Sequence, residues 1–96
     1  MVYKIIWTER AVYDLERVFE FLVFHWGQKV ADNFADVLTE KIEFIKSNPK
    51  DNRLISKSKN IYSCLVTKHN ALYYLVNEIV FITLFDTRQN PEKLNL

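Results

Sequence analysis

The chain contains one glycine, Gly27, and it stands alone between two long amphipathic runs. From Glu9 to about His25 the apolar positions Ala11, Leu15, Val18 and Leu22, flanked by Val12 and Phe19, recur three and four apart. Asp14, Arg17 and Glu20 take the opposite side. From Gln28 to Ser47 the residues Val30, Phe34, Leu38, Ile42 and Ile45 repeat the pattern beside Ala31, Val37 and Lys41. Each spacing is one stripe of an α-helix. A junction this short permits only an antiparallel helical hairpin. Gly27 supplies the left-handed stop of the first helix. Asn48-Pro49 ends the second, because proline disfavours a helical residue before it. Phe21, Val23 and Phe24 spread the apolar surface beyond one stripe, so that end of the first helix expects cover from another element or from a partner.

The flanking segments read as strands. Tyr3 to Trp7 is bulky and β-branched, and it stops where Thr8 can cap a helix and Glu9 can sit in the positive first turn. Lys50 to Asn60 is polar and basic, with only Leu54 and Ile55 apolar, and reads as a loop or a weak strand. Ile61 to Lys68, Ala71 to Val76 and Ile79 to Phe85 are then separated at hairpin lengths by His69-Asn70 and Asn77-Glu78. The last run is apolar on both faces and reads as a central strand. The expectation is one α+β domain over residues 1–96, ordered β-α-α-β-β-β, with the helical hairpin packed on a mainly antiparallel, curved sheet. The hairpin can cover one face of that sheet. The other is closed by the curl of the sheet or waits for a partner segment.

With 49% hydrophobic and 15% aromatic residues in 96, the chain has ample core for one domain and no compositional sign of disorder. A single cysteine, Cys64, excludes an internal disulfide and a cysteine-based zinc cage. One glycine cannot build the phosphate loops of nucleotide-cofactor enzymes, which need several. No apolar stretch approaches the roughly 18–20 residues of a membrane span, and no leader pattern opens the chain, so a cytoplasmic protein without membrane contact is expected. Cofactor and metal are both expected to be absent. The net charge is +1, but residues 1–45 hold five bases against eight acids and residues 46–96 hold eight against four. The second half could therefore present a basic face to an anionic partner.

Few residues could carry chemistry. His25 stands at a helix C-terminus, where a dipole contact is the plain role. Cys64 reads as a small core residue. The helix carboxylates belong to solvated faces, and nothing forms a hydrolase triad. Lys46, Lys50, Arg53, Lys57 and Lys59 make a basic group after the second helix, with Lys68 and Arg88 near it if the sheet forms as read. It could bind phosphate or an acidic protein surface, or remain a solvated loop. Metal-free RNA cleavage would need a base, an acid and a cation on the phosphorane, for which Lys68, His69 and Arg88 are the candidates.

The order strand, helical hairpin, meander resembles the RelE/ParE superfamily of bacterial toxins. Three segments carry the resemblance: Tyr3-Lys4-Ile5-Ile6-Trp7-Thr8 with Ala11 and Leu15 behind it; Asn48-Pro49; and Val66-Thr67-Lys68-His69-Asn70-Ala71-Leu72-Tyr73-Tyr74 leading to Leu84-Phe85-Asp86-Thr87-Arg88-Gln89-Asn90-Pro91. The long hairpin and the Arg88 ending resemble ParE more than RelE. The resemblance implies the toxin of a type II toxin–antitoxin pair, held inactive by a cognate antitoxin that wraps its apolar surfaces. A ParE-like member inhibits DNA gyrase without an enzymatic reaction of its own, with Arg53, Lys57, Lys59 and Arg88 as target contacts here. A RelE-like member instead cuts messenger RNA on the ribosome, through Lys68, His69 and Arg88 in this chain. Such nucleases place a His or Tyr near the chain end, whereas here nothing protonatable but acids and Lys93 follows Arg88. Relatives also carry an arginine at about Tyr62, so a third reading is a paralogue that binds antitoxin without toxicity.

Overall fold

The computed structural model describes residues 4–96. Strand β1 (Ile5–Trp7) leads into α1 (Glu9–Trp26) and α2 (Gln28–Ser47). Four strands follow: β2 (Arg53–Ser56), β3 (Ile61–Thr67), β4 (Asn70–Val76) and β5 (Ile79–Asp86), then a single 3-10 turn at Pro91–Lys93. Tyr3, expected to open the first strand, lies outside the described residues. The weakly apolar segment after Pro49 forms β2, which pairs antiparallel with β3 from Arg53 opposite Ser63. The meander therefore has four strands. β1 joins it in parallel beside β5, with Ile5 opposite Ile79 and Trp7 opposite Phe81, giving the order β1-β5-β4-β3-β2. β5 is an interior strand, as its two apolar faces require, although β4 holds the middle of the sheet.

Thr8 fixes where α1 begins. Its Oγ1 accepts from the Ala11 amide at 3.1 Å and donates to the Phe81 and Ile82 carbonyls, 2.9 Å from each, so one hydroxyl caps the helix and ties it to β5. Gly27 ends α1 and begins α2 together. Its amide donates to the Val23 carbonyl and its carbonyl accepts from Ala31. The positive φ expected of it is present, at 93°, but ψ is 169°. Gly27 is thus in the mirror image of extended backbone rather than in the left-handed helical well, a region open essentially to glycine alone. This is what lets α2 start with no intervening loop.

The core lies between the hairpin and one sheet face. Ala11, Phe34, Leu38 and Ile45 pack on Cys64, Leu72, Tyr74, Val76, Ile79, Phe81 and Leu84. Trp7 and Phe19 meet Phe81 and Phe34 edge-on, at centroid separations of 4.7 and 5.7 Å. Tyr74, fully buried, puts its hydroxyl between two loop groups. It donates to the Pro49 carbonyl at 2.6 Å and accepts from Asn52 Nδ2 at 3.0 Å, which holds the turn between α2 and β2. In β5 the register passes from Phe81 opposite Tyr74 to Thr83 opposite Tyr73, leaving Ile82 as the extra residue of a bulge. A bulge re-aims its neighbours, and here the buried Thr83 hydroxyl donates to Asp14 of α1. On the other face Ala71 and Phe85 are buried in one cross-strand row with the exposed Leu65. The chain end returns to the body, with Asn95 accepting from Arg10 and Leu96 from Lys59.

Candidate functional site

A cleft of about 940 Å³ opens between the closed end of the helical hairpin and the corner where β4 begins and β5 ends. Its two ends differ in chemistry. Phe21 and Trp26 from α1 and Val30 and Val37 from α2 make one end apolar. Trp26 is 68% exposed and Phe21 48%, so two aromatic rings stand open to water beside partly buried Leu22. Their exposure follows from the sequence: a stripe wider than the sheet can cover leaves its outer members uncovered. The other end is basic. Arg10 and Arg17 from α1 face His69, Arg88 and Lys93, with Asp14 and Asp86 the acids among the lining residues.

The basic corner is closed by hydrogen bonds between its two strand ends. Thr87 donates its amide to the His69 carbonyl at 2.9 Å and its hydroxyl to the Lys68 carbonyl at 2.8 Å, while Gln89 donates to the Asp86 carbonyl. Arg88 is held on this corner by Asp86. Its amide and Nε donate to Asp86 Oδ1 at 2.9 and 3.0 Å, and Nη2 donates to Oδ2 at 2.8 Å. The Arg88 hydrogen bonds hold the Asp86 carboxyl below the usual carboxylate range, with the nearby His69 pulling the same way. The same pair raises the guanidinium's proton affinity. Arg17 is ordered differently, with Nη1 donating to the Tyr13 hydroxyl at 2.8 Å and its charge 5.7 Å from the Tyr13 ring centre.

The structure sorts the residues expected to matter. Arg88 and His69 share the cleft, whereas the exposed Lys68 side chain stands outside it. Arg53, Lys57 and Lys59 do not join them. β2 is the far edge of the sheet, with β3 and β4 between it and β5, a span of about 14 Å at ordinary strand spacing. Arg53 is thus set apart from Arg88, while Lys57 and Lys59 lie in the turn after β2, from which Lys59 reaches the Leu96 carbonyl. Tyr62 lies with neither group; it is buried against the Tyr74 ring, centroids 6.0 Å apart. Arg10, Asp14, Arg17 and Asp86 escaped the sequence reading. Arg10 and Arg17 are seven apart with Asp14 between, the spacing of one helix face, and that was the available signal. Burial pushes the Cys64 thiol up, against a smaller opposing pull from Lys41, which fits an inert core residue. Among the described residues no group of three or more His, Cys, Asp or Glu could hold a metal ion.

The family described as "ParE toxin of type II toxin-antitoxin system, parDE" matches residues 5–91. The chain belongs to the ParE toxin family. It is therefore a ParE-type toxin of a toxin–antitoxin system, and the family implies an antitoxin partner. Solved structures share its fold. The chromosomal ParDE toxin–antitoxin system from P. aeruginosa superposes with a TM-score of 0.72 at 17% identity, covering 88% of this chain and 96% of that one. The YoeB/ParE toxin from Agrobacterium tumefaciens gives 0.61 at 16% identity, covering 86% and 97%. A copper-bound mutant toxin from Helicobacter pylori gives 0.62 at 22% identity, covering 88% and 94%. No curated protein matches the sequence significantly. Among the described residues of this ParE-family chain, no helix is long and apolar enough to cross a membrane.

Proposed function

We propose that this chain inhibits DNA gyrase in the cytoplasm and is neutralised by a cognate antitoxin seated in the cleft. The observation that carries the reading is the two-ended cleft of a ParE-family fold. Exposed Phe21 and Trp26 offer the desolvation energy that holds a partner's apolar residues, and aromatic anchors of this kind dominate interface energetics. The basic end, with Arg17 and Arg88 fixed by neighbours, offers directed donors to a protein acceptor. An amphipathic antitoxin segment with apolar residues at one end and acids at the other matches both ends. Occupying the cleft withholds Arg88 from the target.

A second reading rests on His69 and Arg88 lining one cleft, a titratable group and a cation placed together as metal-free cleavage of messenger RNA on the ribosome requires. One experiment separates the two. After induction in growing cells, gyrase-linked breaks in DNA are captured and the 5′ ends of messages are mapped from the same culture. Gyrase-linked breaks with intact messages support the inhibitor. Codon-phased message ends without such breaks overturn it in favour of the nuclease.

A further inference from the structure

Asp86 spends its carboxylate on the residue that the proposed function needs most. Both of its oxygens accept from the Arg88 guanidinium, and Oδ1 accepts from the Arg88 amide as well. The pair is not a passing surface contact. The Asp86 and Arg88 side chains are 30% and 57% exposed, and both sit on the corner braced by Thr87 and Gln89. An arginine has five N–H groups in a planar fork. Asp86 occupies the Nε and Nη2 edge, which is one of the edges that would take a phosphate bidentately. What stays open is the Nη1 end.

The consequence is a donor with direction whose own charge is largely neutralised. A phosphate approaching Arg88 meets a carboxylate beside the cation, so long-range attraction is largely cancelled. A neutral carbonyl delivered end-on by a protein already docked in the cleft loses much less. The Arg88–Asp86 pair thus distinguishes ligands by how they arrive. We infer that Asp86 is a specificity-determining residue, which keeps Arg88 from binding nucleic-acid phosphate by itself and reserves it for an acceptor on a protein partner. This rests on the reading of Arg88 as the target contact.

The test measures binding of a fluorescent DNA duplex to the full chain by anisotropy, at two salt concentrations and without gyrase. Asp86→Asn should tighten binding about four-fold, the size of the attraction between the uncovered Arg88 charge and a phosphate about 5 Å away in water-like surroundings. Its dependence of log affinity on log salt should steepen by about 0.9, one added phosphate contact. Arg88→Gln and the double variant Asp86→Asn/Arg88→Gln should bind alike, because the gain runs through Arg88. Asp36→Asn, the same charge change on an exposed face of α2, should move affinity less than two-fold. The inference is overturned by an unchanged affinity in Asp86→Asn, by a gain that survives in the double variant, or by an equal gain in Asp36→Asn. A parallel supercoiling assay keeps the two proposals apart: failure to inhibit gyrase removes the target assignment, while a flat DNA-binding series in an active inhibitor removes only the role of Asp86.

Discussion

Replacing Gly27 with alanine tests the junction on which the hairpin and one wall of the cleft depend. A Cβ built at this position meets nothing within 4 Å, so steric overlap contributes nothing to the cost. What remains is backbone. At φ 93° and ψ 169° an L-residue is strained by roughly 1–3 kcal/mol. Restricting the unfolded chain returns about 0.4–1 kcal/mol. At the middle of both ranges strain wins, for a net loss of about 1–2 kcal/mol, which for a domain of this size lowers Tm by about 5–15 °C. Thermal melts by circular dichroism and urea titrations measure it, with an unchanged urea slope expected because the folded state exposes no new surface. Asparagine is the informative second substitution. It tolerates the left-handed helical well but not this ψ, so Gly27→Asn should be no better than Gly27→Ala. A loss below about 0.5 kcal/mol for alanine, well under this net figure, would refute the conformational argument. So would recovery by asparagine.

Tyr74→Phe removes a buried hydroxyl that satisfies Pro49 and Asn52, and should cost about 1–3 kcal/mol with Tm falling accordingly. Burial is the main cause that pushes the Tyr74 phenol up from 10.0 to about 12, so its stabilisation is complete below pH 10 and is lost as pH rises toward 12. The Tm gap between wild type and Tyr74→Phe should therefore narrow over that interval; a constant gap would mean the phenol ionises alike in both states. Trp26→Ala should weaken the cognate antitoxin about ten- to thirty-fold by calorimetry with Tm nearly unchanged, as expected of an exposed aromatic anchor. Phe24, 83% exposed but outside the cleft, serves as the control: Phe24→Ser should leave that affinity alone, and equal losses at both positions would refute the cleft as the docking site.

The helices were legible from an apolar period near 3.6, and the last three strands from bulky and β-branched runs separated at hairpin lengths. Their ends moved by a residue, as helix and strand ends do. β2 was only half legible. With Leu54 and Ile55 its only apolar residues, the segment gains its strand conformation from hydrogen bonding to β3, a long-range term that no local pattern carries. The parallel pairing of β1 with β5 joins residues more than seventy positions apart, and the ψ of Gly27 depends on where α2 must run. Both are tertiary decisions. The site was legible at Arg88 and His69, which sit in the segment most like the toxin superfamily. Arg10 and Arg17 were hidden because the face of α1 that looks solvated in sequence becomes a cleft wall once the sheet corner stands opposite. Arg53, Lys57 and Lys59 were placed with Arg88 on charge alone, and the structure puts Arg53 on the far edge strand and the two lysines in the turn after it.

The claim that this ParE-family toxin acts on gyrase through its cleft is tested most directly by a supercoiling assay with purified gyrase and purified toxin. Products are resolved for linear DNA bound to the enzyme. Wild type should inhibit and accumulate linear, gyrase-linked DNA, while Arg88→Ala should lose at least ten-fold in potency and still bind the antitoxin through the apolar end of the cleft. Full supercoiling at a large molar excess of wild type would contradict the target. Loss of antitoxin binding together with inhibition in Arg88→Ala would contradict the division of the cleft.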